Sequence, residues 1–204
     1  MVMPDIDRPP AEIGAWQRAT TLGELPLGVT LRELLAHPDA RGIFLEIHRD
    51  EWLEGERPVQ WNAVRSRANV LRGVHIHRVH ADQVVVVDGT MLLGLHDARR
   101  DSPTRGLSTI VELRGDAPRA AGIPPGVAHG FFFPEPSLHI YAVSHYFDPD
   151  DELGCRFDSP ELGIRWPTAT PHLSKRDTDA GTYGEMVARF SAAGSHQTTA
   201  PPVR

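Results

Sequence analysis

Cysteine is nearly missing from the 204 residues: Cys155 is the only one, so no disulfide can form within the chain, which fits a reducing compartment. No stretch approaches the roughly eighteen consecutive apolar residues of a membrane span. The start, MVMPDIDRPP, has acids and prolines where a secretion signal needs a basic and then an apolar region, so a cytoplasmic protein without membrane contact is expected. Positive charge is also short. Lys plus Arg total 21 against 27 Asp plus Glu, a formal charge of -6 with the eleven histidines neutral, and this argues against nucleic acid or an anionic membrane as partner. A small anion remains acceptable, because a few arginines in one cleft bind a diphosphate whatever the net charge.

What is present is ordinary globular material, 40% hydrophobic and 24% charged, enough for one domain with a sizeable core. Residues 1–21 read as an N-terminal arm, 22–193 as the domain and 194–204 (GSHQTTAPPVR) as a loose tail. Thr30-Leu31-Arg32-Glu33 has the form of a capping box and predicts a short helix through Leu35, stopped by Pro38. Thr182 to Glu185 repeats the form before Met186, Val187 and Phe190, predicting a C-terminal helix. Between them, RGIFLEIHR, QVVVV, TMLLGLHD, STIVEL, HGFFF and SLHIYAVSHYF predict short strands. The Asp88-Gly89 step reads as a hairpin turn. Strands with turns about every ten residues make the fold mainly β, an antiparallel sandwich, barrel or jelly roll.

The densest chemistry is Arg72-Gly73-Val74-His75-Ile76-His77-Arg78-Val79-His80-Ala81-Asp82. On a strand His75 and His77 face the same side. Together with Asp82 and the later His129 they imitate the three-histidine, one-carboxylate ligand set of metal-binding cupins, a chemically sensible set for a divalent transition metal. Taken singly, each histidine is more often a rim or loop residue in so histidine-rich a chain.

LRGVHIH at 71–77, DSPTRG at 101–106, IPPGVAHGF at 123–131, Tyr141 within LHIYAVSHYF, FDSPELGIRWP at 157–167 and LSKRD at 173–177 together resemble the dTDP-4-dehydrorhamnose 3,5-epimerase family over roughly residues 22–190. The resemblance implies a cupin-type antiparallel jelly-roll barrel with short flanking helices, usually a homodimer, acting without cofactor on a nucleotide-diphospho-4-keto-6-deoxy sugar. It implies that His75 is the base, that Asp177 orients and charges it, and that Tyr141 returns a proton to the opposite face. It further implies Arg72 as a diphosphate contact and His129 as a residue lining the sugar site. Arg41, Phe44 and Glu46 match a stretch that reaches the nucleotide of the neighbouring subunit, Gln60 and Asn62 match a nucleotide-contacting segment, and Phe147 matches an aromatic stacking position. Trp166 reads as core or site wall.

The sequence also departs from that pattern. The family's lysine shortly after the base, which stabilises the enolate oxygen, is missing from His80-Ala81-Asp82-Gln83, and its usual glutamine is His77. A preorganised cation at a developing oxyanion contributes roughly 3 kcal/mol per donor. Three repairs are open: a protonated His77 or His80, a metal held by His75, His77, Asp82 and His129, or altered chemistry such as inversion at one carbon. The competing readings are accordingly a metal-dependent cupin, dioxygenase or isomerase, and a non-catalytic sugar-nucleotide binding protein.

Overall fold

A computed structural model describes residues 24–53 and 55–192; the predicted arm, 1–21, and tail, 194–204, fall outside the described residues. Twelve strands are present among them: β1 Thr30–Glu33, β2 Ala36–Asp39, β3 Gly42–Leu45, β4 Gln60–Ser66, β5 Val70–Ile76, β6 Asp82–Asp88, β7 Thr90–Asp97, β8 Ser108–Arg114, β9 Arg119–Ile123, β10 Val127–Phe133, β11 Ser137–Val143 and β12 Leu153–Gly154. Two helices follow, α1 Lys175–Thr178 and α2 Tyr183–Ala192. One sheet has the order β1-β9-β6-β11-β4, the other β12-β5-β10-β7-β8, and β2 pairs with β3 as a separate hairpin. Every strand pair is antiparallel, and the two five-stranded sheets enclose the core of a cupin-type barrel.

The continuous apolar run QVVVV suits a strand covered on both faces. Val84 and Val86 point into the barrel with Met91, Leu93, Leu95, Leu113 and Phe133, whereas Val85 lies with Leu34 and Ala120 beneath Trp52 and Leu45. Each fully buried side chain of this size stabilises the fold by about 1.5–3 kcal/mol. A third layer covers the outside of the second sheet. Met186, Val187 and Phe190 of α2 pack there with Val74, Ile76, Leu153, Leu162 and Trp166. Trp166 is thus core, not site wall: it lies over the backbone of Gly94, where a Cβ would meet its ring at 2.4 Å.

The α2 capping box forms as predicted, with the Glu185 amide donating to Thr182 Oγ1 at 3.2 Å and the Thr182 amide donating to Glu185 Oε2 at 2.7 Å. The helix predicted over Thr30–Leu35 does not form. That segment is β1, paired with β9 from Thr30 opposite Gly122 to Glu33 opposite Arg119, and Pro38 sits inside β2 instead of stopping a helix. Pairing of a free sheet edge outweighs a helix of barely one turn, too short to stand on its own hydrogen bonds. The Asp88-Gly89 turn is not a hairpin either: it carries the chain from β6 in one sheet to β7 in the other. Gly89, at φ +77°, has no room for a Cβ against Ser137 and Pro136, which keeps this crossing tight.

Candidate active site

One end of the barrel interior is filled by the aliphatic core; elsewhere a cavity of about 280 Å3 opens between the sheets. Its wall from the second sheet includes Arg72, His75, His129 and Phe131, and its wall from the first includes Asp82, His139, Tyr141 and Val143.

Arg72 and His75 are three residues apart, so strict alternation would turn them to opposite faces. Opposite His129 and Gly130 of β10 stand His75 and Gly73 of β5, so β10 advances one residue while β5 advances two. Val74 is the extra residue of a bulge, and the slip brings Arg72 and His75 to the same cavity. Gly73 permits it: its φ is +116°, and a Cβ would meet Gly130 Cα and the His129 carbonyl oxygen at 2.9 Å each.

His75 Nε2 stands 2.8 Å from Asp177 Oδ1, although 102 residues separate them in sequence. Asp177 is held in turn. The Ser174 hydroxyl donates to its Oδ2 at 2.8 Å, and its own amide donates to Ser174 Oγ at 3.1 Å in the N-cap of α1. Burial works to raise its pKa, but hydrogen bonds from His75, Ser174 and the Gly73 amide outweigh it and hold the carboxyl below its usual value. An ionised Asp177 accepts the Nε2 proton and leaves His75 Nδ1 as the basic nitrogen. Tyr141 reaches the same cavity from β11, in register with Val84 and Asn62. Burial first, then Asp82 and Glu152, raise its pKa and keep the phenol protonated.

Of the other predicted residues, Gln60 and Phe147 line the cavity, the Phe147 amide donating to Gln60 Oε1 at 3.0 Å. Asn62 lies beside them, its Oδ1 accepting from Gln60 Nε2 at 3.2 Å. Arg41, Phe44 and Glu46 belong to or adjoin the β2–β3 hairpin, the first two exposed and Glu46 half-buried, and they do not line this cavity.

A second cluster adjoins the first. His77, His80 and His129 surround Asp82, with their Nε2 atoms 3.8, 3.9 and 3.7 Å from Asp82 Oδ2. Burial, reinforced by the neighbouring histidines, pushes His77 down to about 2, and burial likewise takes His129 to about 3. His77 is therefore neutral and is not the protonated donor offered as a substitute for lysine; for His80, burial works to lower the pKa, but the hydrogen bond to Asp151 and the charges of Asp82, Asp151 and Glu152 outweigh it and raise it. His75 stands apart from this group, engaged by Asp177, so the ligand set read from the sequence is corrected: the ligand atoms that lie within 4.8 Å of one another are those of His77, His80 and Asp82. Lys175, the single lysine of the sequence, is exposed on α1 and ion-paired with Asp179, outside the cavity.

Sequence reasoning missed Asp151, Glu152, Ser174, Arg176 and His139. Ser174 had a signal, since Ser174-Lys175-Arg176-Asp177 is itself a capping-box pattern. Asp151 and Glu152 lie in the acidic run Asp148-Pro149-Asp150-Asp151-Glu152, which reads as solvated loop.

A sequence profile of the dTDP-4-dehydrorhamnose 3,5-epimerase family matches residues 25–185. The chain belongs to this family. Its relatives include a dTDP-4-dehydrorhamnose 3-epimerase from Streptomyces niveus, 37% identical over 151 residues, covering 70% of this chain and 73% of the relative. The dTDP-4-dehydrorhamnose 3,5-epimerase of Salmonella typhimurium is 34% identical over 152 residues, covering 70% and 83%. Among solved structures, a 3,5-epimerase from Legionella pneumophila in complex with dTDP-4-keto-L-rhamnose superposes with a TM-score of 0.74 at 30% identity, covering 79% of this chain and 91% of that one. This epimerase-family chain thus stands among sugar-nucleotide isomerases, and none of its described helices is long and apolar enough to cross a membrane.

Proposed function

We propose that the protein inverts C3, C5 or both in a nucleotide-diphospho-4-keto-6-deoxy sugar, in deoxysugar biosynthesis in the cytoplasm, as a homodimer. The observation that carries this reading is that His75 with Asp177 and Tyr141 face one cavity from opposite sheets. A sugar ring between them has a base on one face and an acid on the other, which inversion requires. His75 Nδ1 takes the proton α to the C4 ketone and the pair of electrons passes to the ketone oxygen as an enolate. The Tyr141 hydroxyl then protonates the same carbon from the other face, and both side chains reset by exchange with water. The ketone is essential, because without it the carbon acid is too weak for an imidazole. No redox group is needed, since the carbon ends at its starting oxidation level.

Arg72 holds the diphosphate, with its Nε 3.1 Å from Ser66 Oγ fixing the guanidinium. Gln60, Asn62 and Phe147 meet the nucleotide or sugar, His129 lines the sugar site, and Arg41, Phe44 and Glu46 reach the nucleotide bound by the neighbouring subunit.

The test is proton exchange with dTDP-4-keto-6-deoxyglucose in deuterated water, followed at C3 and C5. Deuterium at both carbons is the signature of a 3,5-epimerase, and deuterium at one marks a single-centre enzyme. Undiminished exchange in His75→Ala would overturn the mechanism, and binding without exchange in the native protein would turn the reading into a sugar-nucleotide binding protein.

A further inference from the structure

The cluster around Asp82 has a geometry that proton transfer by His75 and Tyr141 does not require. Three imidazoles turn their Nε2 atoms toward one carboxylate oxygen, at 3.7–3.9 Å, beyond hydrogen-bond distance. The ligand atoms of His77, His80 and Asp82 all lie within 4.8 Å of one another, with His129 Nε2 alongside at 3.7 Å from Asp82 Oδ2; ligands on a tetrahedron with bonds near 2.1 Å stand roughly 3.4 Å apart, so these three need only close inward to share one ion. All four side chains are buried.

The outer nitrogens are just as telling. His129 Nδ1 is 3.1 Å from the Val127 carbonyl oxygen, His77 Nδ1 is 3.3 Å from the Asp151 carbonyl oxygen, and His80 Nδ1 is 3.2 Å from Asp151 Oδ2. Each of these partners accepts, so each Nδ1 carries a proton and Nε2 is the nitrogen that each ring turns toward the cluster. Imidazole nitrogens and a carboxylate oxygen directed at one volume, yet standing beyond hydrogen-bond distance of one another, are an arrangement that a cation would draw together. Acceptors on the far nitrogen are also what orient metal-binding imidazoles. Asp151 serves two of the three and is itself fixed by the amides of Arg78 at 2.7 Å and Val79 at 3.2 Å.

We propose that His77, His80 and Asp82, with His129 beside them, form a binding site for a divalent first-row transition metal, opening on the same cavity as His75 and Tyr141. Imidazole with one carboxylate selects zinc, iron, cobalt or nickel over calcium or magnesium. The site lines the cavity, so the ion can present an open coordination position there. On the reading proposed above, the substrate oxygen that meets it is the C4 ketone oxygen.

Full-length protein without a histidine tag, stripped with EDTA, is titrated with Zn2+ and its metal content measured by plasma mass spectrometry, with Co2+ as the spectroscopic probe. About one equivalent per chain and a cobalt ligand-field spectrum of low-symmetry coordination are expected. Asp82→Ala and His80→Ala should each weaken binding by at least about 100-fold and Asp151→Asn by about 10–100-fold, while His75→Ala, outside the cluster, binds as the native protein does. Circular dichroism identifies variants that fail to fold, and the native cobalt spectrum depends on no variant. Less than about a tenth of an equivalent, or native affinity in folded Asp82→Ala and His80→Ala, would overturn the site. Proton exchange on the same samples keeps the two readings apart: uptake without exchange defeats the epimerase reading alone, and exchange without uptake defeats the metal site alone.

Discussion

Asp177 does its work through a neighbour. Its carboxylate reaches His75 Nε2 at 2.8 Å, so it fixes which ring nitrogen carries the proton and stabilises the imidazolium once His75 has taken a second one. Asp177→Asn keeps the shape but removes the charge and can offer an N–H to Nε2, placing the proton on Nδ1 instead. The expected result is a loss of about 10²–10⁴ in the rate of deuterium exchange with little change in KM or thermal midpoint. Ser174→Ala, which removes one hydrogen bond to Asp177 and the N-cap of α1, should cost about 1 kcal/mol in stability with a smaller loss of rate. At this scale the sequence was legible wherever a residue type sits inside a distinctive string, as His75 does in LRGVHIH and Asp177 in LSKRD. It was not legible for Asp151, whose two oxygens hold His80 and two backbone amides, because an acid within a run of acids carries no mark of being buried.

Strands and turns were read correctly in kind and less well in partnership. The apolar runs announced β6 and β7, but local pattern cannot tell a turn within a sheet from a turn between sheets, since both need the same backbone at Gly89. The Thr30–Glu33 error has the same root: a capping box is a local signal, and the edge of β9 is not local. The bulge in β5 is equally invisible in sequence, yet it sets the site. Gly73→Ala should therefore destabilise by roughly 2–4 kcal/mol, through positive φ and contact with immovable backbone, and should abolish exchange even in the fraction that remains folded. Thermal unfolding and exchange on the soluble variant check both halves.

A second element-scale test concerns the loop after β7. Buried Asp97 accepts from Arg99 Nε at 2.8 Å, Ser102 Oγ at 2.6 Å and Thr104 Oγ1 at 2.6 Å, tying the loop to the strand end. Burial raises its pKa, but these donors outweigh burial and hold the carboxyl below the ordinary value of 3.8. A carboxyl lowered on folding contributes stability that is complete above the unfolded value and disappears as pH falls through the folded one. Asp97→Asn should cost about 2–4 kcal/mol near neutrality, and its gap in thermal midpoint from the native protein should stay constant from about pH 7 to 5 and narrow below about pH 4. A gap that widened on acidification would contradict the ionised assignment.

At the scale of the molecule, the β2–β3 hairpin stands apart from both sheets and exposes Ile43 and Phe44, at 67% and 64%. Among the described residues Arg41 at its tip pairs only with Asp39 two residues away, leaving its guanidinium largely in solvent. An exposed apolar hairpin on a single chain fits an arm that completes a neighbour's site, which is the dimeric arrangement of the proposed function. Mixing separates this from a self-contained site. His75→Ala keeps an intact hairpin and Arg41→Ala keeps an intact base, so in a shared-site heterodimer one of the two sites regains both. With equal amounts exchanged to equilibrium, half the dimers are mixed and about a quarter of native activity should return, above the average of the two variants alone. Activity that stays at that average would confine Arg41 to its own subunit and leave the hairpin without a part in the reaction.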